Sequence, residues 1–169
     1  MSFQKGTFNT ISQNDIRVGG DFPVWSRVDK LYQGGGTIDH EKYTEGTVIG
    51  AGTMVIFNGA GNQVDVIIPT AYSASSAYEV GDIVLQNNKI YKNKTAITEG
   101  EGFTSSKWTD ITSAINGLVF EDVCIPSGCI LATCAVVRAG RIYADRVRGG
   151  SLPTSIEANL PMIEFVRES

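Results

Sequence analysis

The side chains able to do chemistry in this chain are few and dispersed. His40 is the single histidine. It follows the Gly34-Gly35-Gly36 run, and no G-x-S-x-G elbow occurs, so a nucleophile–histidine–acid arrangement has no frame. One histidine also excludes H-E-x-x-H, and the lack of any Gly-Lys dipeptide excludes a Walker A phosphate loop. Asp82, Asp110, Glu121 and Asp122 could serve as a general acid and base if the fold paired them; as sequence they read equally as solvated surface carboxylates. Cys124, Cys129 and Cys134 recur every five residues within an apolar segment. They lack the C-x-x-C spacing of a structural zinc site, and an odd count speaks against a disulfide framework, so buried, reduced thiols are expected. Gly50-Ala51-Gly52 and Gly59-Ala60-Gly61 open no helix and read as hairpin turns. Asn93-Lys94-Thr95 has the form of a glycosylation acceptor, though no secretory route is expected for it. These absences point to a non-enzymatic binding or structural role with no cofactor and no metal.

Length and composition bound the elements that must position anything else. A chain of 169 residues suits one domain, or one domain with a small insert. Its 42% hydrophobic and 19% charged residues predict folding rather than disorder. A formal charge of −4, with Lys and Arg scattered, disfavours a phosphate-dominated nucleic-acid partner. The opening MSFQKGTFNTISQND has neither an apolar core nor a small-residue cleavage site, and no apolar run is long enough to span a bilayer. Synthesis in a cytosol, with no membrane insertion, is the expectation.

Glycines punctuate short runs of β-branched and aromatic residues, which predicts short strands and tight turns, with no major helix. The fold class expected is all-β: a small β-sandwich or barrel with an inserted small β module and an extended N-terminal arm. Residues 1–45 read as an arm that wraps its own domain, a neighbouring subunit or a partner, with Gly34-Gly35-Gly36 as a flexible joint and Phe3, Phe8, Phe22 and Trp25 as anchors. The β domain spans 46–69 and 112–169. Thr53–Phe57 and Val64–Ile68 should pair across Asn58-Gly59, whose residues tolerate the positive φ of a hairpin turn, and Pro69 ends that ladder. Leu118–Ile125, Ile130–Val137 and Arg141–Val147 read as strands joined by turns at Pro126-Ser127-Gly128 and Ala139-Gly140. A short helix follows Pro153 and is stopped by Pro161; Met162–Val166 is a closing strand. Between the two halves, residues 70–76 read as a linker and 77–111 as the insert, pointing outward.

The insert's Tyr78, Gly81-Asp82, Val84, the Asn87-Asn88-Lys89 turn, Tyr91 and the closing Trp108 resemble the small chitin- and cellulose-binding modules of the family 5/12 type. That resemblance implies aromatic stacking on sugar rings, with Tyr78, Tyr91, Phe103 and Trp108 as carbohydrate-binding residues. The tryptophans that usually follow the second-strand tyrosine are absent from Lys92-Asn93-Lys94-Thr95-Ala96, so the same residues also read as fold-keeping. The frame carries a second resemblance. G-T-V-I-G-A-G-T-M-V-I-F, N-G-L-V-F-E-D-V, C-A-V-V-R-A-G-R-I-Y and L-P-M-I-E-F-V, in that order, are similar to head fiber and capsid decoration proteins of tailed bacteriophages. This implies a virion protein made in the host cytoplasm and docked on the major capsid protein as a homo-oligomer, a trimer, with the insert facing surface glycans. Two other classes stand beside it: a stand-alone carbohydrate-binding module protein of a microbial glycan-binding system, and a small hydrolase using a carboxylate pair.

Overall fold

The computed structural model describes residues 23–125 and 132–167. Its architecture is all-β, with one short helix among the described residues. The first strand, β1 (Trp25–Leu31), turns into β2 (Gly36–Ile38). Then come β3 (Val48–Ile49), β4 (Met54–Asn58) and β5 (Gln63–Ile67). The insert contains β6 (Thr70–Ala71), β7 (Ile83–Gln86), β8 (Lys89–Asn93) and β9 (Trp108–Asp110). The chain returns as β10 (Gly117–Val119), β11 (Val123–Cys124), β12 (Ala132–Cys134) and β13 (Val136–Tyr143). It closes with α1 (Ser155–Asn159) and β14 (Ile163–Val166).

The main sheet has the order β1-β13-β10-β4-β5-β2-β12, with β14 parallel to β13. Only Ala135 separates β12 from β13. The order that leaves β13 through β10, β4, β5 and β2 therefore returns, at β12, to the same stretch of chain. The sheet curls into a small ring. Its interior is filled by alternate residues, among them Val55, Phe57, Val64, Val66, Val119 and Val136. The intervening residues, Met54, Ile67, Leu118 and Val137, point outward into a second core shared with Ile156, Leu160 and Ile163. The central strands thus use both faces, which is why they read as continuous apolar runs rather than as clean alternation. Burying each such side chain stabilises the fold by about 1.5–3 kcal/mol before conformational entropy is subtracted.

Residues 25–38, placed in the arm by sequence, form strands of this sheet. β1 pairs antiparallel with β13 and β2 with β12, so two long bent strands run side by side. Gly34 and Gly35, at φ 84° and 66°, make the bend in a conformation that disfavours a Cβ. The glycine run is a fixed corner rather than a joint. Ala139-Gly140 is not a turn but the middle of β13. A Cβ on Gly140 would collide with the Arg27 carbonyl, so the glycine is there for the close passage of β1. The β4–β5 hairpin forms in the expected register, but its positive φ angles fall on Gly61 and Asn62 rather than on Asn58-Gly59. Gly50-Ala51-Gly52 is a turn leading from β3 to β4, strands that do not pair with each other; β3 pairs with β11. The apolar run from Leu118 divides into β10 and β11, because Asp122 accepts the Ala51 N–H at 2.7 Å and pairs with Arg148 at 2.6 Å. The turn at Pro126-Ser127-Gly128 and Cys129 lie outside the described residues. α1 follows Pro153, whose carbonyl accepts the Ile156 N–H at 3.0 Å, and ends before Pro161.

The insert is a separate sheet in the order β6-β7-β8-β9. Asn87 and Asn88, at φ 50° and 60°, make the tight β7–β8 turn. The segment read as a linker is not one: Thr70–Ala71 pairs parallel with Val84 and Leu85. Ser73 then exchanges hydrogen bonds with the Tyr78 hydroxyl, accepting at 3.1 Å and donating at 2.7 Å. The Tyr78 hydroxyl thereby satisfies both backbone groups of Ser73 inside the module. One face of the sheet carries Ile83, Leu85 and Ile90, which pack against the main body's outer core. The other carries Val84, Tyr91 and Trp108.

Candidate functional site

The structure brings Tyr78, Tyr91, Phe103 and Trp108 together, with Tyr72 added, on the insert face opposite the main body. They are placed by the pleat: Asn93 pairs with Trp108 and Tyr91 with Asp110, so Tyr91 and Trp108 share a face. Tyr72 stacks on Tyr78 with centroids 5.5 Å apart, and Phe103 on Trp108 at 5.7 Å. Tyr78 meets Trp108 edge-on at 5.4 Å, and Tyr91 meets Phe103 at 5.0 Å. Tyr78 is 7% exposed and Trp108 3%, whereas Tyr91 and Phe103 are half-buried. The rings of Tyr78 and Trp108 are therefore spent on one another and form the module's own core. Stacking area for a ligand is left on Tyr91 and Phe103. Trp108 Nε1 is buried without a hydrogen-bond partner. Beside the cluster, Lys107 bonds the Glu101 carboxylate, which together with a bond from Thr98 holds that carboxyl below its usual pKa. Sequence reading missed Tyr72 as a member, because TAYSASS carries the composition of a loop.

Asn93 is not available as a glycosylation acceptor. It is 2% exposed, and its amide donates to the Glu79 carbonyl at 2.8 Å. Three of the four candidate carboxylates have a local partner. Asp82 accepts the Glu79 N–H at 2.7 Å, Asp110 pairs with Lys89 at 2.9 Å, and Asp122 pairs with Arg148. Burial opposes the charge on Asp110, yet bonds from Thr112 and Lys89 hold its carboxyl below the ordinary range. Glu121 is exposed next to Asp122. His40 begins a turn of 3-10 helix, His40–Lys42. Cys124 is exposed and Cys134 buried. Among the described residues no cluster of His, Cys, Asp and Glu could hold a metal, and no helix is long and apolar enough to cross a membrane.

Of the anchor residues, Trp25 is half-buried in β1 and donates from Nε1 to the Val119 carbonyl at 3.3 Å. It lines a groove of about 340 Å³ with Val24, Phe120 and the Asp122–Arg148 pair. Phe3, Phe8 and Phe22 lie outside the described residues.

A second concavity, of about 310 Å³, lies where the insert meets the main ring. Its apolar lining includes Val66, Ile67 and Ile83; its polar groups come from Asp39, Lys42, Asp65 and Lys92, with the Tyr43 ring beside them. Lys42 Nζ stands 3.4 Å from Asp39 and 3.5 Å from Asp65. Burial works against its charge, but the two carboxylates raise its pKa overall. Burial likewise raises the pKa of the Tyr43 hydroxyl. No sequence signal marks this cleft, since its walls come from segments far apart in the chain. Comparison with known protein families, with curated proteins and with solved structures found no match for this chain.

Proposed function

We propose that this protein is a non-enzymatic structural protein that decorates the outside of a bacteriophage head. In this reading it docks on the major capsid protein as an oligomer, a trimer, and turns its insert toward surface glycans. The observation that supports it is spatial. The four segments carrying the likeness to head fiber and decoration proteins contain β4, β10, β13 and β14, and these are successive neighbours in one sheet. The likeness therefore lies on a continuous block of structure rather than on unrelated strands. The insert hangs from the opposite side of that block's outer core, where it does not interrupt the ring. Several copies on one oligomer would raise the avidity of a weak glycan site by on the order of 100-fold.

The test is solution mass by light scattering, together with co-sedimentation on assembled heads lacking this protein. A trimer that co-sediments in saturable amounts is the expected result. A monomer that ignores heads but is retained on polysaccharide would instead support the stand-alone carbohydrate-binding module. The half-exposed Tyr91 and Phe103 are the residues that favour that second reading.

A further inference from the structure

We infer that the saccharide site of this protein is the cleft between the ring and the insert, lined by Asp39, Lys42, Tyr43, Asp65, Ile83 and Lys92, and not the aromatic cluster. This deepens the glycan-facing part of the function proposed above and rests on it.

The aromatic cluster is poorly suited to the task. Its two largest rings are covered by other rings, and Tyr78's hydroxyl is committed to Ser73. The cleft has the complementary properties. Its volume is about 310 Å³. That is the lower end of the roughly 300–1,000 Å³ typical of small-molecule sites, room for about one or two sugar rings. A pyranose is amphiphilic: a C–H face that seeks apolar surface and an edge of hydroxyls that seek charged acceptors and donors. The cleft offers both, with Val66, Ile67 and Ile83 below and alternating carboxylates and ammonium groups around them.

The charges are arranged to be shared. Lys42 stands between Asp39 and Asp65 at distances beyond an ideal charged hydrogen bond. Both carboxylates are more than half exposed, so oxygens remain free to accept from vicinal hydroxyls. Lys92 enters from β8 on the insert side. It is the pleat neighbour of Tyr91 and so projects from the opposite face. The lining balances two carboxylates against two ammonium groups, which suits a neutral polyhydroxylated ligand over a strongly anionic or cationic one. Gly81 also lines the cleft, at a φ of 104° that favours glycine.

Two-dimensional amide NMR of the intact chain, titrated with chito-, cello- and galacto-oligosaccharides, tests this. The expected result is saturable shifts at Asp65, Gly81 and Lys92 for at least one series. Asp65→Asn and Lys92→Ala should each weaken binding about tenfold or more. Phe103→Ala should leave it within about twofold, with the unliganded spectra showing each variant folded. No shifts with any series, or shifts centred on Tyr91 and Phe103, would overturn the assignment. Co-sedimentation on heads is read separately. Cleft binding without head binding sinks the decoration reading alone, and head binding without cleft shifts sinks this inference alone.

Discussion

Thr112 Oγ1 accepts the Ile90 backbone N–H at 2.9 Å and lies 3.4 Å from the Ile90 carbonyl, to which its hydroxyl donates. One side chain at the start of the returning main body thus closes the bonds of the insert's middle strand. The Ile90 side chain on the same residue is fully buried in the core beneath α1. The insert is a distinct sheet, but its stability is tied to the body that carries it.

Thr112→Val keeps the shape and removes the hydroxyl, leaving the buried Ile90 N–H without its partner. A loss of about 1–3 kcal/mol is expected. Denaturant unfolding should remain a single transition, because the insert and body share a core. A first transition confined to insert signals would show that the two melt separately.

Gly140→Ala places a methyl group against the Arg27 carbonyl and the Val28 backbone. A destabilisation of about 1–3 kcal/mol is expected from such overpacking. Amide exchange should speed up selectively over 25–31 and its partners in β13. Unchanged protection there would mean that β1 can move aside without cost.

Trp108→Ala removes the largest side chain of the insert's aromatic core, which ring contacts with Tyr72, Tyr78 and Phe103 surround. A cost of about 3–5 kcal/mol is expected. Trp108→Phe should cost much less, because it keeps the ring and deletes an indole N–H that has no partner. Comparable losses for the two variants, measured by chemical denaturation, would show that the N–H is bonded in solution.

Burial pushes the Cys134 thiol from its ordinary 9.0 up to about 11. A raised pKa contributes stability that is complete below the unfolded value and is lost as pH climbs through the folded one. The melting temperature should therefore fall from about pH 9 to about pH 11, and Cys134→Ala should flatten that part of the profile. At mildly alkaline pH, iodoacetamide should modify the exposed Cys124 in the native protein and reach Cys134 only in denaturant, as peptide mass mapping would reveal.

Where local chemistry decides structure, the sequence was readable. Asn87-Asn88 could only be a tight turn, Pro161 ended the helix, and the β4–β5 register followed from two apolar runs around a glycine-rich loop. Where distant chain decides, it was not. Gly140 looks like a turn residue until Arg27 is known to pass beside it. Residues 25–38 look like a loose arm because their partners lie about a hundred residues later, at 132–143. For the same reason, deleting residues 1–33 would strip β1 from β13 rather than trim an appendage. The aromatic candidates did converge, but nothing local reveals which way a ring faces. The cleft residues carried no signal, since Lys42, Asp65 and Lys92 become neighbours only when two sheets meet.

The bend at Ala135 sets a timetable for the molecule's birth. A ribosome delivers Trp25–Leu31 about a hundred residues before the strand that must lie beside it. Until then the nascent chain carries a half-built ring with unpaired rims, the kind of intermediate that invites misassociation and slow maturation. Circularly permuting the gene so that 132–143 precedes 25–38 would bring both strands out together and should speed productive folding.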